Sequence, residues 1–372
     1  MKLTIDRSVL LKSLGHVQSV VEKRGTIPVL SNVKLDANGD SLHLSATDMD
    51  IAVIDQAPAS VSELGATTVP AHMFYEIIRK LPDGSQVEIS IGSGETKATV
   101  QSGQSTFSLA CLPVDDFPTL SEDAMDHEFT LAAEQCNSLF GKTRFAISTE
   151  ETRYYLNGIF LHEVKQEQGE QLRAVATDGH RLARSEIALP SGASGMPGII
   201  IPRKTINELL KLIEEEVAEI KVAVSTSKIR FVCGNAVLVS KLIDGSFPDY
   251  ERVIPAANDK SMQIDGKLFS QAVDRVSVVS MDKTRGVKLA LEPGRLIISA
   301  NSPEHGNASE ELDVNYDADG METGFNARYL LEMMSQIDGD TVQFLLSDAA
   351  SPALVRDSAE PGALYVVMPM RV

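Results

Sequence analysis

One amphipathic stripe, written three times, constrains this chain more than any other feature. Ile206, Leu209, Leu210 and Ile213 fall at i, i+3, i+4 and i+7, which places them on one face of a helix over 203–213. The apolar run 199–201 stands directly in front of that helix. Phe74, Ile77, Ile78 and Leu81 repeat the stripe upstream, and Leu330, Met333, Met334 and Ile337 repeat it downstream. Each copy follows a short lead segment (ATTVPA, IIIPRK, TGFNAR) and precedes an apolar strand pattern (QVEISI, EIKVAV, TVQFLL). One such stripe is ordinary, since any core helix carries it. Three at nearly even spacing with matched flanks make a triplicated chain.

The rest of the chain repeats in step. LTIDRSVLLKSLGHVQSVV, FTLAAEQCNSLFGKTRFAI and MQIDGKLFSQAVDRVSVVS each read as a strand running into a helix. Three strands follow, and the middle one aligns as SLHLSATDMD (41–50), QLRAVATDGH (171–180) and RLIISANSPE (295–304). Each third therefore reads β-α-β-β-β twice over. Turn pairs such as Asn38-Gly39, Asp83-Gly84 and Asp338-Gly339 favour antiparallel sheets with the two helices on one side, an α+β domain. Boundaries are expected at 1–125, 126–257 and 258–372, with the acidic run at 214–219 a solvated loop or helix end.

With 372 residues, such thirds lie near ordinary domain size, and 43% hydrophobic residues suffice for three cores. No run is long enough for a membrane span, and the opening MKLTIDRSVL lacks a signal-peptide core, so a cytoplasmic protein with no membrane partner is expected. Cys111, Cys136 and Cys233 are odd in number and sit in apolar patterns, which predicts buried free thiols. A net charge of −18 argues, at first sight, against a nucleic-acid partner.

Catalytic patterns are scarce. GSGETKAT (92–99) lacks the Gly-Lys-Ser/Thr ending of a phosphate loop and lies between two strand patterns, so it predicts a hairpin turn. No GxSxG, HExxH or CxxC occurs, and no two histidines have metal-ligand spacing. Asp178 beside His180 could suggest acid–base chemistry in a hydrolase or phosphotransferase. The repeat places Asp50 and Glu304 opposite His180, so no imidazole is kept there and a binding surface is the better reading. A sequence-specific DNA binder is disfavoured by the charge and by the lack of a helix-turn-helix pattern.

Two stretches exceed what the repeat requires. RYYLNG (153–158) and ATDGHRL (176–182) combine aromatics, Gly and Arg without helix or strand periodicity, and the terminal VVMPMRV places Met beside Pro at a chain end. Flexible methionines suit an adaptable apolar groove. Together with IPRK, SKLIDGSFPDYERVIP and RGVKL, these motifs resemble the beta sliding clamp of bacterial DNA polymerase III along the whole chain.

The resemblance implies three similar domains per subunit, closed head to tail as a homodimer ring around double-stranded DNA, with helices lining the bore. It implies a processivity factor with no catalytic residue, cofactor or metal. A peptide-binding pocket would comprise Leu156, Thr177, Gly179, His180, Arg181, Leu182, Pro248, Arg252 and Val253, with Asn326, Tyr329, Val366, Met368, Pro369, Met370 and Arg371. Its partners would be Leu- and Phe-anchored peptides of the DNA polymerase III alpha subunit, the clamp loader, other polymerases and repair proteins. On its rim, Ala350 and Pro352 replace the Val and Ser of well-known members.

DNA contacts would fall on Arg24, Arg153, Tyr154 and Tyr155, with Glu150 in place of a familiar Gln and His72 in place of an Arg. The dimer interface would join Phe107 and Leu109 to Val278 and Val279. Gln104 and Thr106 against Gly306, Asn307 and Ser309 lack the usual opposed charges there. Helix cations that could face the bore are Arg7, Lys12, Arg24, Arg79, Lys80, Lys142, Arg144, Arg203, Lys204, Lys211, Lys267, Arg275 and Arg328. An acidic exterior with a locally basic bore would then reconcile the net charge with DNA.

Overall fold

The computed structural model describes residues 1–22, 26–119, 124–167, 169–213, 217–280 and 285–371. Strand Lys2–Asp6 turns Leu3 and Ile5 inward and runs into helix Arg7–Gln18, which buries Leu10, Leu14 and Val17. Asp6 caps that helix by accepting from the Ser8 amide. The last third repeats the device: strand Lys260–Asp265, a cap from Asp265 to the Leu268 amide, and helix Gly266–Ser277 over Phe269, Ala272 and Val273.

The middle third departs from expectation. Strand His127–Ala132 leads into a single α-helical turn, Ala133–Cys136, then a π-helix, Asn137–Gly141, and a 3-10 turn, Arg144–Ala146. Ala132 stands where Asp6 and Asp265 cap, and Asn137 and Gly141 are poor residues for a helix interior. Cys136, Leu139 and Phe140 still reach the core, so the apolar pattern survives without a regular helix.

The second helices are Ala71–Lys80, Arg203–Ile213 and Ala327–Met334. In the middle copy Ile206, Leu209, Leu210 and Ile213 are all buried. In the outer copies Phe74, Ile78, Leu330, Met333 and Met334 are buried, whereas Ile77 is half-buried and Ile337 lies half-buried past the helix end. A strand the sequence did not announce, Ser60–Glu63, pairs with Lys2–Asp6. GSGETKAT bridges strands Gln86–Ser90 and Lys97–Ser102 as a hairpin, with Gly94 at φ 79°. Cys136 and Cys233 are buried, and burial pushes the Cys233 thiol up to about 12. Cys111, expected inside, is half-buried.

The chain forms two compact units, Met1–Ala133 with Pro190–Met196 and Lys204–Leu242, and Glu134–Leu189 with Pro197–Arg203 and Ile243–Val372. Each contains an eight-stranded antiparallel sheet that continues from one third into the next. In the first unit, the last strand of the middle third, Ala236–Lys241, pairs with Ile51–Pro58, setting Val239 opposite Ala52. In the second, the last strand of the last third, Ala363–Val367, pairs with Arg181–Ala188, setting Val366 opposite Leu182. One junction is thus built twice. The corresponding strands left over, Ser105–Ala110 in the first unit and Gly306–Asp313 in the second, are sheet edges. Among the described residues no helix is long and apolar enough to cross a membrane.

Candidate functional site

The Ala-Thr-Asp motif makes the same turn at both junctions. The Thr177 hydroxyl donates to the Arg181 carbonyl (2.7 Å) and accepts from the Gly179 amide (3.1 Å), while the Asp178 carboxylate accepts from the His180 and Arg181 amides (2.9 and 3.0 Å). Thr47 and Asp48 serve Met49, Asp50 and Ile51 identically, at 2.8–3.0 Å. These side chains complete the turn, which is why the motif recurs. Asp178 is thereby committed to holding backbone, which leaves it unsuited to act as a general base.

The third turn residue is forced to positive φ, 89° at Gly179 and 82° at Met49. Glycine takes that conformation freely, and methionine takes it under strain. Beside it, the Met368 amide donates to the His180 carbonyl (2.9 Å), as the Lys241 amide donates to Asp50 (2.8 Å). At the first junction the Lys241 and Asp50 side chains form an ion pair (3.1 Å). At the second, their places are taken by Met368, 41% exposed, and the exposed His180. Ala52 likewise gives way to Leu182. The same backbone therefore carries a charged surface once and an apolar one once.

Below that apolar surface lies a buried floor. Leu156, Thr177, Leu182 and Val366 are buried, and Leu182 and Val366 belong to a cluster with Val175, Tyr250, Leu354 and Leu364. Pro248, Arg252 and Val253 are exposed along the segment leading from strand Ala236–Lys241, and Pro369 and Met370 are half-buried. Arg252 pairs with Asp249 (2.7 Å). The Met370 amide donates to the Gly324 carbonyl (2.8 Å), tying the terminal segment to strand Met321–Asn326. Arg371 is exposed.

Arg181 and Asn326 do not present themselves as the sequence suggested. Arg181 is 7% exposed, and its guanidinium meets Asp178 (3.1 Å), Glu332 and the Phe145 carbonyl (2.6 Å). It also lies over the rings of Tyr329 (4.4 Å) and Phe145 (5.1 Å). His180 stacks on Tyr329 in turn, with centroids 6.4 Å apart. Arg181 is thus an internal anchor that positions Tyr329 and His180. Asn326 caps helix Ala327–Met334, accepting from the Arg328 and Tyr329 amides. Burial alone would raise the Glu332 carboxyl, but hydrogen bonds from Arg328 and Arg181 outweigh it and hold it below its usual range. Replacing Arg181 by Met takes one charged partner from Asp178 and Glu332, which keep the backbone amides and Arg328, and should cost about 1–3 kcal/mol. Thermal unfolding measures that loss, and an unchanged Tm would refute the anchor.

Phe145 and Glu332, the other halves of this anchor, were not singled out by sequence. Glu332 stands four residues after Arg328, a helical pairing distance, and that was the one available signal.

Comparison with known proteins decides the family. Sequence profiles described as the N-terminal, central and C-terminal domains of the DNA polymerase III beta subunit match residues 1–121, 130–249 and 251–371. The beta sliding clamp of Caulobacter vibrioides is 52% identical over 372 residues, with both chains covered in full. That of Escherichia coli K12 is 39% identical over 375 residues, again covering both chains. The chain belongs to the DNA polymerase III beta subunit family. A Caulobacter crescentus beta sliding clamp structure with bound polyethylene glycol superposes with a TM-score of 0.96 at 52% identity, covering 100% of this chain and 99% of that one. A Bartonella birtlesii sliding clamp bound to griselimycin gives 0.96 at 48% identity, covering both chains fully. A beta subunit of this kind is a non-catalytic processivity factor of DNA replication, a sliding clamp, with three domains of the clamp fold.

The clamp's DNA candidates are unevenly placed. Arg24 lies outside the described residues. Arg153, Tyr154 and Tyr155 sit on the 3-10 segment Glu151–Leu156, which kinks at Arg153 (φ −111°, ψ 51°). Tyr154 is 54% exposed and meets Tyr155 edge to face, at 5.8 Å between centroids. Arg153 pairs with Glu150 (2.8 Å). His72 is half-buried between the Gln18 side chain and the Val21 carbonyl, each 3.0 Å away.

Most cations expected to face a bore are already neutralised. Arg7 pairs with Asp83 (2.6 Å), Arg79 with Glu76 (2.7 Å), Lys211 with Glu208 (2.8 Å) and Arg328 with Glu332 (2.8 Å). Lys142 meets Asp338 (2.8 Å) and Glu360, Lys204 meets Asp48, and Arg275 holds Glu310 through two nitrogens. Arg144, Arg203 and Lys267 are exposed without an ion pair among the described residues.

For the interface, Val278 is 60% exposed, and Val279 and Phe107 are half-buried. Leu109 differs from expectation. At 3% exposure it faces the core of its own sheet, which leaves Phe107 the more accessible of the two on that edge.

Proposed function

We propose that this clamp closes head to tail as a homodimer ring around duplex DNA, with domains at 1–125, 126–257 and 258–372, and acts in the cytoplasm. Each subunit tethers the polymerase III alpha subunit, the clamp loader, and other polymerases and repair proteins through one peptide groove. The observation that carries the groove is the contrast between junctions. The second has a buried floor at Leu156, Thr177, Leu182 and Val366, glycine at the left-handed turn, and methionine where the first has a Lys–Asp pair. An extended peptide can lay two apolar side chains on such a surface and bring its backbone against Gly179. Exposed Arg252 and Arg371 can meet its polar groups, while Tyr329, His180, Pro248, Val253, Pro369 and Met370 form the walls. Arg153, Tyr154 and Tyr155 are assigned to DNA, with Arg24 joining them on the strength of the family resemblance alone.

Removing residues 368–372 tests the groove. Losing the apolar wall around one or two anchors, each worth about 1.5–3 kcal/mol, should weaken a fluorescent Leu/Phe peptide about a hundredfold. Circular dichroism should show the fold intact, because the removed segment follows the last strand. An unchanged peptide affinity by fluorescence anisotropy would overturn the assignment.

A further inference from the structure

Arg153 and Gly179 touch. A Cβ built on Gly179 would lie 2.8 Å from Arg153 Nη1, so the guanidinium rests directly on the glycine that a bound peptide must approach. Five residues before the strands that begin at Asn32 and Gly158, the repeat puts Ile27 where Arg153 stands, and it puts Met49 where Gly179 stands. The charged contact belongs to the second junction alone.

Little holds Arg153 there. Its one ion-pair partner among the described residues is Glu150, itself half-exposed, and such a surface pair holds weakly. The neighbouring tyrosines lie against the other side of the groove. A Cβ on Gly245 would be 3.1 Å from Tyr155 Cβ and 3.5 Å from Tyr154, and Gly245 opens the stretch that carries Pro248 and Arg252. One short kinked segment therefore bears the residues assigned to DNA and touches both flanks of the peptide groove.

Resting on the assignments just made, we propose that Arg153 is a latch that makes DNA and peptide binding cooperative. With no DNA present the guanidinium covers Gly179 and competes with the peptide backbone. A DNA phosphate offers it a charge-assisted, bidentate partner in place of the single exposed contact to Glu150 and draws it off the glycine. The groove is then free without paying for the displacement, and apparent peptide affinity rises by the inverse of the unlatched fraction. Linkage requires the reverse effect to be equal: saturating peptide strengthens DNA contact by the same factor.

The test measures the anisotropy of a labelled Leu/Phe peptide on the full-length clamp, with and without a saturating short duplex at low salt. Duplex occupancy is followed by a second fluorophore. For the unaltered clamp, the duplex should tighten peptide binding about fivefold, within the usual span of coupling between sites. Arg153→Ala should bind peptide about fivefold more tightly without DNA and gain nothing from it. Glu150→Gln, which frees the guanidinium to leave, should move in the same direction and keep a response to DNA. Peptide affinity that ignores a bound duplex, or an Arg153→Ala protein that binds peptide more weakly, overturns the latch while leaving the groove standing. Absence of peptide binding by the unaltered clamp would instead refute the groove itself.

Discussion

Replacing Val278 and Val279 with aspartate should yield a folded monomer. The two junctions within the chain join the last strand of one third to the third strand after the first helix of the preceding one. Ser105–Ala110 and Gly306–Asp313 are the remaining strands of those two kinds, and both are open edges. A second copy satisfies both at once, and antiparallel pairing of Ser108 opposite Gly306 continues the register seen at Val239–Ala52 and Val366–Leu182. This edge carries no opposed charges of its own. Gln104 and Thr106 are neutral, and Glu310 is occupied by Arg275 within its own subunit. On the interface assigned to Phe107, Val278 and Val279, association would then depend on apolar contact. Burying an unpaired carboxylate in such a contact costs several kcal/mol, about the worth of a hundredfold or more in affinity. A closed dimer has two copies of the interface, so the loss counts twice. Light scattering should show 40.2 kDa instead of twice that mass. A variant still dimeric at sub-micromolar concentration would place the interface elsewhere.

What the sequence discloses here follows from the range of the interactions involved. Helix faces and capping residues are local, so the stripe at Ile206, Leu209, Leu210 and Ile213 appears in full. The failed helix of the middle third was also local, since Ala132 lacks a capping oxygen, but an apolar pattern alone conceals it. The groove is legible in the sequence only through a family resemblance, because its physical cause spans distant segments. Arg181 reads as one more charged residue until Phe145, Asp178, Tyr329 and Glu332 converge on it. Leu109 shows the same limit. Two-residue periodicity puts Phe107 and Leu109 on one face, but only the neighbouring strands decide which of them the core covers.

Retention on circular DNA should survive salt and fail on cutting. A protein that grips phosphates loses roughly a thousandfold or more in affinity between 50 and 200 mM salt when it makes six or more contacts. This clamp is poorly equipped for that mode. Its net charge is −18, and Arg7, Arg79, Lys142, Lys204, Lys211, Arg275 and Arg328 are each paired with a carboxylate. Linear duplex should therefore bind weakly at physiological salt. Weak contact is also what sliding requires, because every phosphate contact must break at each step along the helix. A closed ring needs no affinity to stay, since leaving means opening an interface or reaching an end. Once a loader has placed it on a circle, it should resist a wash at several hundred millimolar salt for as long as the apolar interface holds, because screening acts on charges and leaves apolar contact in place. A single double-strand cut should then release it past the new ends. If cutting leaves retention unchanged while salt strips the intact circle, the protein holds DNA by charge and not by topology.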